Sequence, residues 1–333
     1  MLISPWILFL ASSAVVVVAA YKMAGYGDII AVRTKLGGLL VGTFFLAAAT
    51  SLPEFIASIT AFSANAPDLA AGNFFGSNMV NVLLLALVDL INYRVPLMRR
   101  MAVTHTLTAV LSMLLMVLAI IFIMGDIDVM IGWVGVDSII LILLYFGGVW
   151  LIQHASQEAI GATSSEPVIV DESFPSLMRG IIGFLVTAII LTMVVPLLVS
   201  ASTDIAEITG LGDGFVGTAL LSIVTSLPEL LAALAAVRMG AFDLAVGNLF
   251  GSSVFNMLGL GAADFFYVDG RFLGAIDPEF ALVGLLSLLL TIMALLTNLA
   301  RIERRIFFIE VDSLAIILVY LAGMYLLFLH SGG

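Results

Sequence analysis

The chain contains ten stretches of about 20 mostly apolar residues, separated by short links that carry most of its charges. A helix of about 20 apolar residues is long enough to cross the hydrocarbon core of a bilayer. We therefore predict an all-α integral membrane protein with ten transmembrane helices. The predicted spans cover residues 3–21, 37–62, 69–91, 102–124, 132–152, 178–201, 214–237, 244–266, 280–299 and 312–329.

The composition agrees with this class. Hydrophobic residues make up 62% of the 333 residues and charged residues only 11%, whereas a soluble domain is about half apolar and a quarter charged. No cysteine is present, which excludes disulfides and thiolate metal sites. The apolar run Leu2–Ala20 has no basic residue before it. We therefore expect a retained first span rather than a secretory signal peptide.

One segment of the chain occurs twice at a spacing of 175 residues. The sequence Thr-Ser-Leu-Pro-Glu stands at 50–54 and again at 225–229. Aligned at this spacing, residues 41–83 and 216–258 match at 22 of 43 positions. Internal repeats of this kind are typical of alternating-access transporters, so we interpret both segments as ion-binding motifs.

The longest polar link, residues 153–177, divides the spans into two groups of five. We predict a first repeat over 1–152 and a second over 178–333. Because five is odd, the second repeat enters the membrane from the opposite side, and the two are inverted repeats. Eleven of the 12 Lys and Arg residues lie on odd-numbered links, and Arg271 lies on the other face. The positive-inside rule then predicts a cytoplasmic 153–177 link and extracellular termini.

Each repeat places a glutamate, Glu54 or Glu229, near the middle of an apolar span. A charged residue at the centre of a membrane helix costs about 2.5–3.5 kcal/mol on insertion scales, and such residues are functional as a rule. No Lys or Arg lies in the interior of any predicted span, so no internal salt bridge can neutralise the pair. We expect a bound cation or proton as the partner. The alternative is a protonated glutamate that hydrogen-bonds another helix.

A proline stands directly before each glutamate and removes one backbone donor from the helix. The backbone carbonyls over 47–50 and 222–225 are then predicted to lack their usual partners. In lipid this is tolerated where the backbone lines a cavity. The carbonyl oxygens of Ala47 and Ser222 are therefore candidate cation ligands, with a simple packing kink as the alternative.

Polar side chains also share one face of the span that follows each glutamate. Ser77 and Asn81 are four residues apart on span 3, and Ser252 and Asn256 repeat this on span 8. Glycines at four-residue spacing precede them and favour close helix packing, which brings the polar face against the glutamate-bearing helix. Asn73 and Asn248 each follow one of these glycines, and each is either a ligand or a partner in a helix–helix hydrogen bond.

Four aspartates repeat at the same spacing and are expected to be structural. Asp68 and Asp243 precede helix starts and are expected to cap them. Asp89 and Asp264 lie at span ends, where we expect interfacial solvation, with a role in ion entry as the alternative. The three His residues share no spacing, which disfavours a transition-metal site. The oxygen ligands that remain suit Na⁺, Ca²⁺ or Mg²⁺.

The two Thr-Ser-Leu-Pro-Glu segments, with Gly-Asn-Phe-Phe-Gly-Ser-Asn at 72–78 and its second copy, resemble the cation/calcium exchanger superfamily, particularly its prokaryotic sodium/calcium exchangers. The resemblance implies an antiporter that extrudes Ca²⁺ by inward Na⁺ flow. It also implies that spans 1 and 6 slide across the other helices to alternate access. The implied ligands, shared by Ca²⁺ and Na⁺, are Glu54, Glu229, Thr50, Ser51, Ser77, Asn81, Thr225, Ser226, Ser252 and Asn256.

One departure from the family pattern keeps alternatives open. Some relatives carry Asp where Asn256 stands, so the neutral residue leaves the stoichiometry and any K⁺ dependence open. The acidic residue that usually follows Gly-Asn in the proton-coupled branch is absent from both copies, which disfavours H⁺ coupling without excluding it. The alternatives are an H⁺-coupled or K⁺-dependent divalent cation antiporter, or an exchanger that prefers Mg²⁺. A passive cation channel is disfavoured because the links contain no filter-like loop.

The sequence also bears on enzymatic activity and partners. It contains no nucleophile–base arrangement and no phosphate-binding loop, so we do not expect an enzyme. We expect a multi-pass protein of the cell membrane whose partners are the lipid bilayer and the transported ions. No cofactor, nucleic acid or protein partner is implied.

Overall fold

The computed structural model describes residues 4–34, 38–92, 97–98, 101–125, 127–160, 175–300, 305–306 and 309–331, which are mostly helical. The helices are α1 Pro5–Thr34, α2 Gly38–Thr50, α3 Leu52–Ser63, α4 Pro67–Ile91, α5 Val103–Gly125, α6 Val136–Ile160, α7 Leu177–Thr209, α8 Asp213–Val216, α9 Ser222–Thr225, α10 Leu227–Arg238, α11 Phe242–Ala263, α12 Phe272–Ala275, α13 Ala281–Ala300 and α14 Val311–Ser331. Three short turns complete the helical segments: a π-helical turn at Gly217–Leu221 and 3₁₀ turns at Asp264–Phe266 and Pro278–Phe280.

Nine helical segments within the described residues are long and apolar enough to cross a membrane, and the bent pair α2–α3 forms a tenth. The predicted all-α membrane fold is thereby confirmed. Three helices continue beyond their predicted span ends, because α1 runs through Lys22 to Thr34, α6 to Ile160 and α7 to Thr209. Charged side chains near a span end reach the interface without ending the helix. Residues 161–174 of the predicted link lie outside the described residues.

The 175-residue spacing extends to the boundaries of the helices. Helix α3, Leu52–Ser63, corresponds position for position to α10, Leu227–Arg238. Helices α1 and α7 end at equivalent threonines, Thr34 and Thr209. The repeat in the fold is therefore longer than the 43-residue segment that matches in sequence.

Two short β-hairpins, which the sequence patterns did not predict, obey the same spacing. Strand β1, Met130–Ile131, pairs with β2, Val134–Gly135. Strand β3, Arg305–Ile306, pairs with β4, Ile309–Glu310. Each hairpin is antiparallel and stands directly before the last long helix of its half, α6 or α14.

The spans that carry the glutamates break at equivalent serines. Ser51 has φ −86° and ψ 6°, and Ser226 has φ −87° and ψ 1°, both outside helical geometry. Each serine is followed by Leu-Pro, so the proline takes the second position of the new helix, where its missing N–H is tolerated. Helices α2 and α3 meet at 44° as a result. Glu54 and Glu229 occupy the third positions of α3 and α10.

Helices α4 and α11 form the centre of the bundle and are buried along most of their length. They pack against each other, and each also packs against long helices of the other half of the chain. Helix α4 contacts α13 and α14, whereas α11 contacts α5 and α6. The two halves are therefore interlocked rather than placed side by side.

Glycines allow the π-helical turn of the second half to approach α4 closely. A Cβ added at Gly72 would lie 2.4 Å from the carbonyl oxygen of Gly214, and one at Gly76 would lie 2.8 Å from the Cα of Thr218. The equivalent residues of the first half, 42–46, are α-helical. A π-turn inside a span often marks a functional site, and here the two halves differ in it.

The four repeated aspartates have structural contacts that differ from the prediction. Asp89 and Asp264 are 2% and 0% exposed, so the predicted interfacial solvation is wrong. Asp89 accepts hydrogen bonds from the N–H of Leu97 at 2.6 Å and from Ser313 Oγ at 2.7 Å. Asp264 accepts from the N–H groups of Phe272 at 2.6 Å and Gly135 at 2.7 Å. Both are buried because the following link folds back and supplies donors.

The predicted capping roles of Asp68 and Asp243 are also wrong. The capping positions are Ala66 and Ala241, which have no side-chain oxygen. Asp68 instead accepts a hydrogen bond at 2.9 Å from the backbone N–H of Asp277, and Asp243 lies 3.6 Å from His105 Nε2. Both carboxylates remain in the first turn, where they favour the positive end of the helix dipole.

Candidate cation site

The two glutamates lie in the middle of the bundle, next to the break in each span. Glu54 is 1% exposed and Glu229 is 0% exposed. Each stands in the first turn of a helix, whose unpaired N–H groups favour a carboxylate. Among the described residues, neither glutamate makes an ion pair with Lys, Arg or His. Their charge is therefore not balanced by a neighbouring basic side chain.

Each glutamate is hydrogen-bonded by the serine of the opposite half. Ser226 Oγ donates to Glu54 Oε1 at 3.1 Å, and Ser51 Oγ donates to Glu229 Oε1 at 3.0 Å. These two bonds are equivalent under the 175-residue spacing. The carboxylates are consequently held in one site to which both halves contribute.

Further hydroxyl and amide groups extend the network around Glu229. Ser252 Oγ donates to Glu229 Oε1 at 3.3 Å and lies 3.3 Å from Thr50 Oγ1. Thr50 Oγ1 also lies 3.4 Å from Asn248 Oδ1. Residues from α2, α10 and α11 thus meet at one carboxylate.

The network around Glu54 is related but not identical. Thr225 Oγ1 donates to Asn73 Oδ1 at 3.2 Å, the equivalent of the Thr50–Asn248 contact. Asn73 Nδ2 donates to the backbone carbonyl of Glu54 at 3.0 Å and to Ser58 Oγ at 3.1 Å. Position 58 is equivalent to Ala233, so Asn248 has no such hydroxyl partner. The helix–helix interpretation of these Asn residues therefore agrees with the geometry.

Several buried oxygens of the predicted ligand set have no hydrogen-bond partner within the part of the chain that the structure describes. They are Glu54 Oε2, Glu229 Oε2, Ser77 Oγ, Asn81 Oδ1 and Asn256 Oδ1. Buried polar atoms are almost always hydrogen-bonded, so each exception calls for an explanation. These atoms are all acceptors, and a cation is the partner that several acceptors can share.

The carbonyls of Ala47 and Ser222 are not left unpaired, contrary to the prediction. Ala47 O accepts from the N–H of Ser51 at 2.9 Å and from Thr50 Oγ1 at 3.1 Å. Ser222 O accepts from the N–H of Ser226 at 3.0 Å and from Thr225 Oγ1 at 3.3 Å. A proline removes the donor to the carbonyl four residues earlier, which is at position 49 or 224.

Two site residues that the sequence patterns missed are Asn78 and Ser253. Asn81 Nδ2 donates to Ser253 Oγ at 3.3 Å, and Asn256 Nδ2 donates to Asn78 Oδ1 at 3.0 Å. The signal that could have found them is that they are equivalent at the 175-residue spacing and that each stands one turn before a predicted Asn ligand.

An acidic cavity lies at the end of the bundle where α4, α8 and α13 begin. Its volume is about 260 Å³, and its lining includes Asp68, Asp213, Asp277, Glu279 and Thr218. A cleft lined by one sign of charge raises the local concentration of the opposite ion. No group of three or more His, Asp or Glu side chains that could hold a metal ion is found in the described part of the chain.

Comparisons with known proteins identify the family of the chain. The sequence model of the family described as sodium/calcium exchanger protein matches residues 4–153 and 179–329. The chain is 28% identical over 274 residues to an uncharacterised membrane protein of Methanocaldococcus jannaschii. The aligned region covers 82% of this chain and 84% of that protein. It is 41% identical over 70 residues to the sodium/calcium exchanger MaX1 of Methanosarcina acetivorans, covering 21% and 20% of the two chains.

Two solved structures share the fold across nearly the whole chain. The H⁺/Ca²⁺ exchanger CAX superposes with a TM-score of 0.73 at 15% identity, covering 99% of this chain and 86% of that one. The sodium–calcium exchanger NCX_Mj superposes with a TM-score of 0.62 at 19% identity, covering 98% and 99%. Since the family match spans both halves, the chain belongs to the sodium/calcium exchanger family and is a multi-pass membrane antiporter of cations.

Proposed function

We propose that the protein exchanges Ca²⁺ for Na⁺ by alternating access at the site formed by Glu54 and Glu229. One observation carries the proposal: two equivalent, fully buried carboxylates each keep one oxygen unpaired and have no basic partner among the described residues. A charge buried without a partner is costly, so a bound cation or proton has to compensate it.

The donor set favours Ca²⁺ on one side of the cycle. Ca²⁺ takes about six to eight oxygen ligands in flexible geometry, and carboxylates can bind it through both oxygens. Two carboxylates supply up to four of these ligands and balance the charge of one ion. The proposed further ligands are Thr50, Ser51, Ser77, Asn81, Thr225, Ser226, Ser252 and Asn256.

The same donors favour Na⁺ on the other side. Hydroxyl, amide and carboxylate oxygens suit hard monovalent ions as well as Ca²⁺. Several Na⁺ ions can spread over the set in place of one Ca²⁺, because the ligands are shared between the two glutamates. Competition for shared ligands is then the physical basis of the exchange.

The proposal includes inverted repeats over 1–152 and 178–333, with a cytoplasmic link at 153–177 and extracellular termini. The repeated helix boundaries and the asymmetric distribution of basic residues support it. Helices α1 and α7 pack along each other over much of their length, which is compatible with their sliding as a pair. Gly183 of α7 accommodates the ring of Tyr26, since a Cβ there would lie 2.4 Å from the ring.

The test is a flux assay on purified protein in liposomes, with Na⁺, K⁺ and H⁺ gradients imposed one at a time. We expect ⁴⁵Ca²⁺ uptake to follow the Na⁺ gradient, to reverse when the gradient is reversed and to be unaffected by K⁺. Active protein that shows no Na⁺-dependent Ca²⁺ movement contradicts the proposal. A competition series with unlabelled Mg²⁺ tests whether another divalent ion is preferred.

H⁺ coupling is the second candidate, because one specific feature favours it. Both glutamates are buried in one network, and a carboxylate in an apolar site can bind a proton instead of a metal ion. In the same assay, Ca²⁺ uptake that follows a pH gradient without Na⁺ identifies this mode of coupling.

A further inference from the structure

We propose that Asn78 and Ser253 are positioning residues, which hold the amides of Asn256 and Asn81 so that the carbonyl oxygens face the cation site. The proposal rests on the proposed site, though not on the identity of the coupling ion. All four side chains are at most 3% exposed, so water does not set their orientation.

The orientation of Asn81 follows from the bonds of Ser253. Ser253 Oγ donates its single proton to the backbone carbonyl of Leu249 at 3.1 Å. The hydroxyl therefore acts only as an acceptor toward Asn81, and the 3.3 Å contact requires the Nδ2 of Asn81 as donor. Asn81 Oδ1 is then the free end of the amide, and it has no hydrogen-bond partner.

Asn78 has the equivalent position in the first half and the equivalent contact. Its Oδ1 accepts from Asn256 Nδ2 at 3.0 Å, which leaves Asn256 Oδ1 buried without a partner. A serine hydroxyl in one half and an asparagine carbonyl in the other thus have one function. Each accepts from the amide nitrogen of the opposite half.

Both contacts cross between the central helices α4 and α11. An asparagine amide can turn by 180° and present either its oxygen or its nitrogen to a cation. Ser253 removes this choice for Asn81, because its only proton is donated to Leu249 O. Asn78 accepts from Asn256 Nδ2 in the orientation described, and its own Nδ2 is buried without a partner among the described residues. Partners that orient metal ligands in this way typically change metal affinity or activity by about 10- to 100-fold when they are mutated.

The experiment compares variants that remove the acceptor with variants that exchange it between the halves. Ser253→Ala and Asn78→Leu remove the acceptor, whereas Ser253→Asn and Asn78→Ser install the acceptor that the other half uses. Ser112→Ala is the matched control, because Ser112 is a fully buried hydroxyl on α5 with no hydrogen-bond partner. The readouts are the Ca²⁺ concentration for half-maximal flux, the maximal rate and the Ca²⁺-induced shift in melting temperature.

We expect Ser253→Ala and Asn78→Leu to raise the half-maximal Ca²⁺ concentration by about tenfold or more. The exchange variants should stay within about threefold of wild type, and Ser112→Ala should not change the Ca²⁺ dependence. Unchanged half-maximal concentrations in both acceptor-deleted variants would overturn the proposal. So would an exchange variant that folds but is as impaired as the deletion.

One measurement separates this proposal from the proposed coupling. The Ca²⁺-induced melting shift is measured in detergent without any gradient, so it reports the site even if Na⁺ drives no flux. If an acceptor-deleted variant fails to fold, the exchange variant at the same position tests the positioning proposal instead. A folded exchange variant with wild-type Ca²⁺ dependence supports positioning, and a loss there contradicts it.

Discussion

Ser51 of the first half donates a hydrogen bond over 3.0 Å to the carboxylate of Glu229 in the second half. The equivalent bond from Ser226 to Glu54 measures 3.1 Å. Each serine is also the residue at which its own span breaks, so the break directs a hydroxyl toward the other half. The same serine therefore breaks its own span and contributes a hydrogen bond to the shared site.

Removing either buried charge should abolish Ca²⁺ transport. In Glu54→Gln or Glu229→Gln, a bound Ca²⁺ keeps an uncompensated charge in an apolar site, which costs about 3–5 kcal/mol. We expect Ca²⁺ affinity to fall by at least about 100-fold. The checks are ⁴⁵Ca²⁺ flux and binding, with the exposed Glu207→Gln as control. Wild-type flux in either variant would show that the site is elsewhere.

The two cross-half serines should have nearly equal effects. Ser51→Ala and Ser226→Ala each remove a hydrogen bond to a carboxylate, worth about 1.5 kcal/mol, so the half-maximal Ca²⁺ concentration should rise about tenfold. Ser12→Ala is the control, since Ser12 is buried but bonds only its own helix, to Leu8 O at 2.7 Å. An effect confined to one of the two serines contradicts a shared site.

The close approach of α4 to α8 and the π-turn that follows it should not tolerate a methyl group. Gly72→Ala places a Cβ 2.4 Å from a backbone oxygen, which cannot move as a side chain can. We expect a loss of about 1–3 kcal/mol in stability, seen as a lower melting temperature in detergent. Gly147→Ala is the matched control, because no atom lies within 4 Å of its Cβ. Equal melting temperatures for the two variants would count against this packing.

The buried aspartates at the ends of α4 and α11 should act on stability rather than on ion affinity. Asp264→Ala leaves the N–H groups of Gly135 and Phe272 without their acceptor, at about 1–3 kcal/mol each. We expect a lower melting temperature with an unchanged half-maximal Ca²⁺ concentration, and little change in the exposed Asp269→Asn. A raised half-maximal concentration at full stability would instead indicate a role in ion entry.

Much of the fold follows from local patterns in the sequence. A 20-residue apolar stretch has one stable form in lipid, so the spans could be predicted without knowledge of their neighbours. The glutamates stood out for the same reason, since a charge in such a stretch needs a partner. The ligand set beyond them depended on the resemblance to a family, and it stays a prediction.

The errors concern contacts between distant parts of the chain. Asp89 was expected in water because it ends a span, yet Ser313 and the backbone at Leu97 enclose it. Nothing near position 89 indicates a partner 224 residues away. Ser253 was missed for a related reason, because its function depends on a bond from Asn81 on another helix. Sequence periodicity indicates which residues share one face of a helix, but not which other helix packs against that face.

The central helix α4 has consequences for how the protein is made. The helices that cover it include α13 and α14, which the ribosome synthesises last. Until they emerge, the α4 surface that they later cover has only lipid or a chaperone as its neighbour. Quality control therefore has a defined interval in which to act, and a chain truncated before α13 should be recognised and degraded.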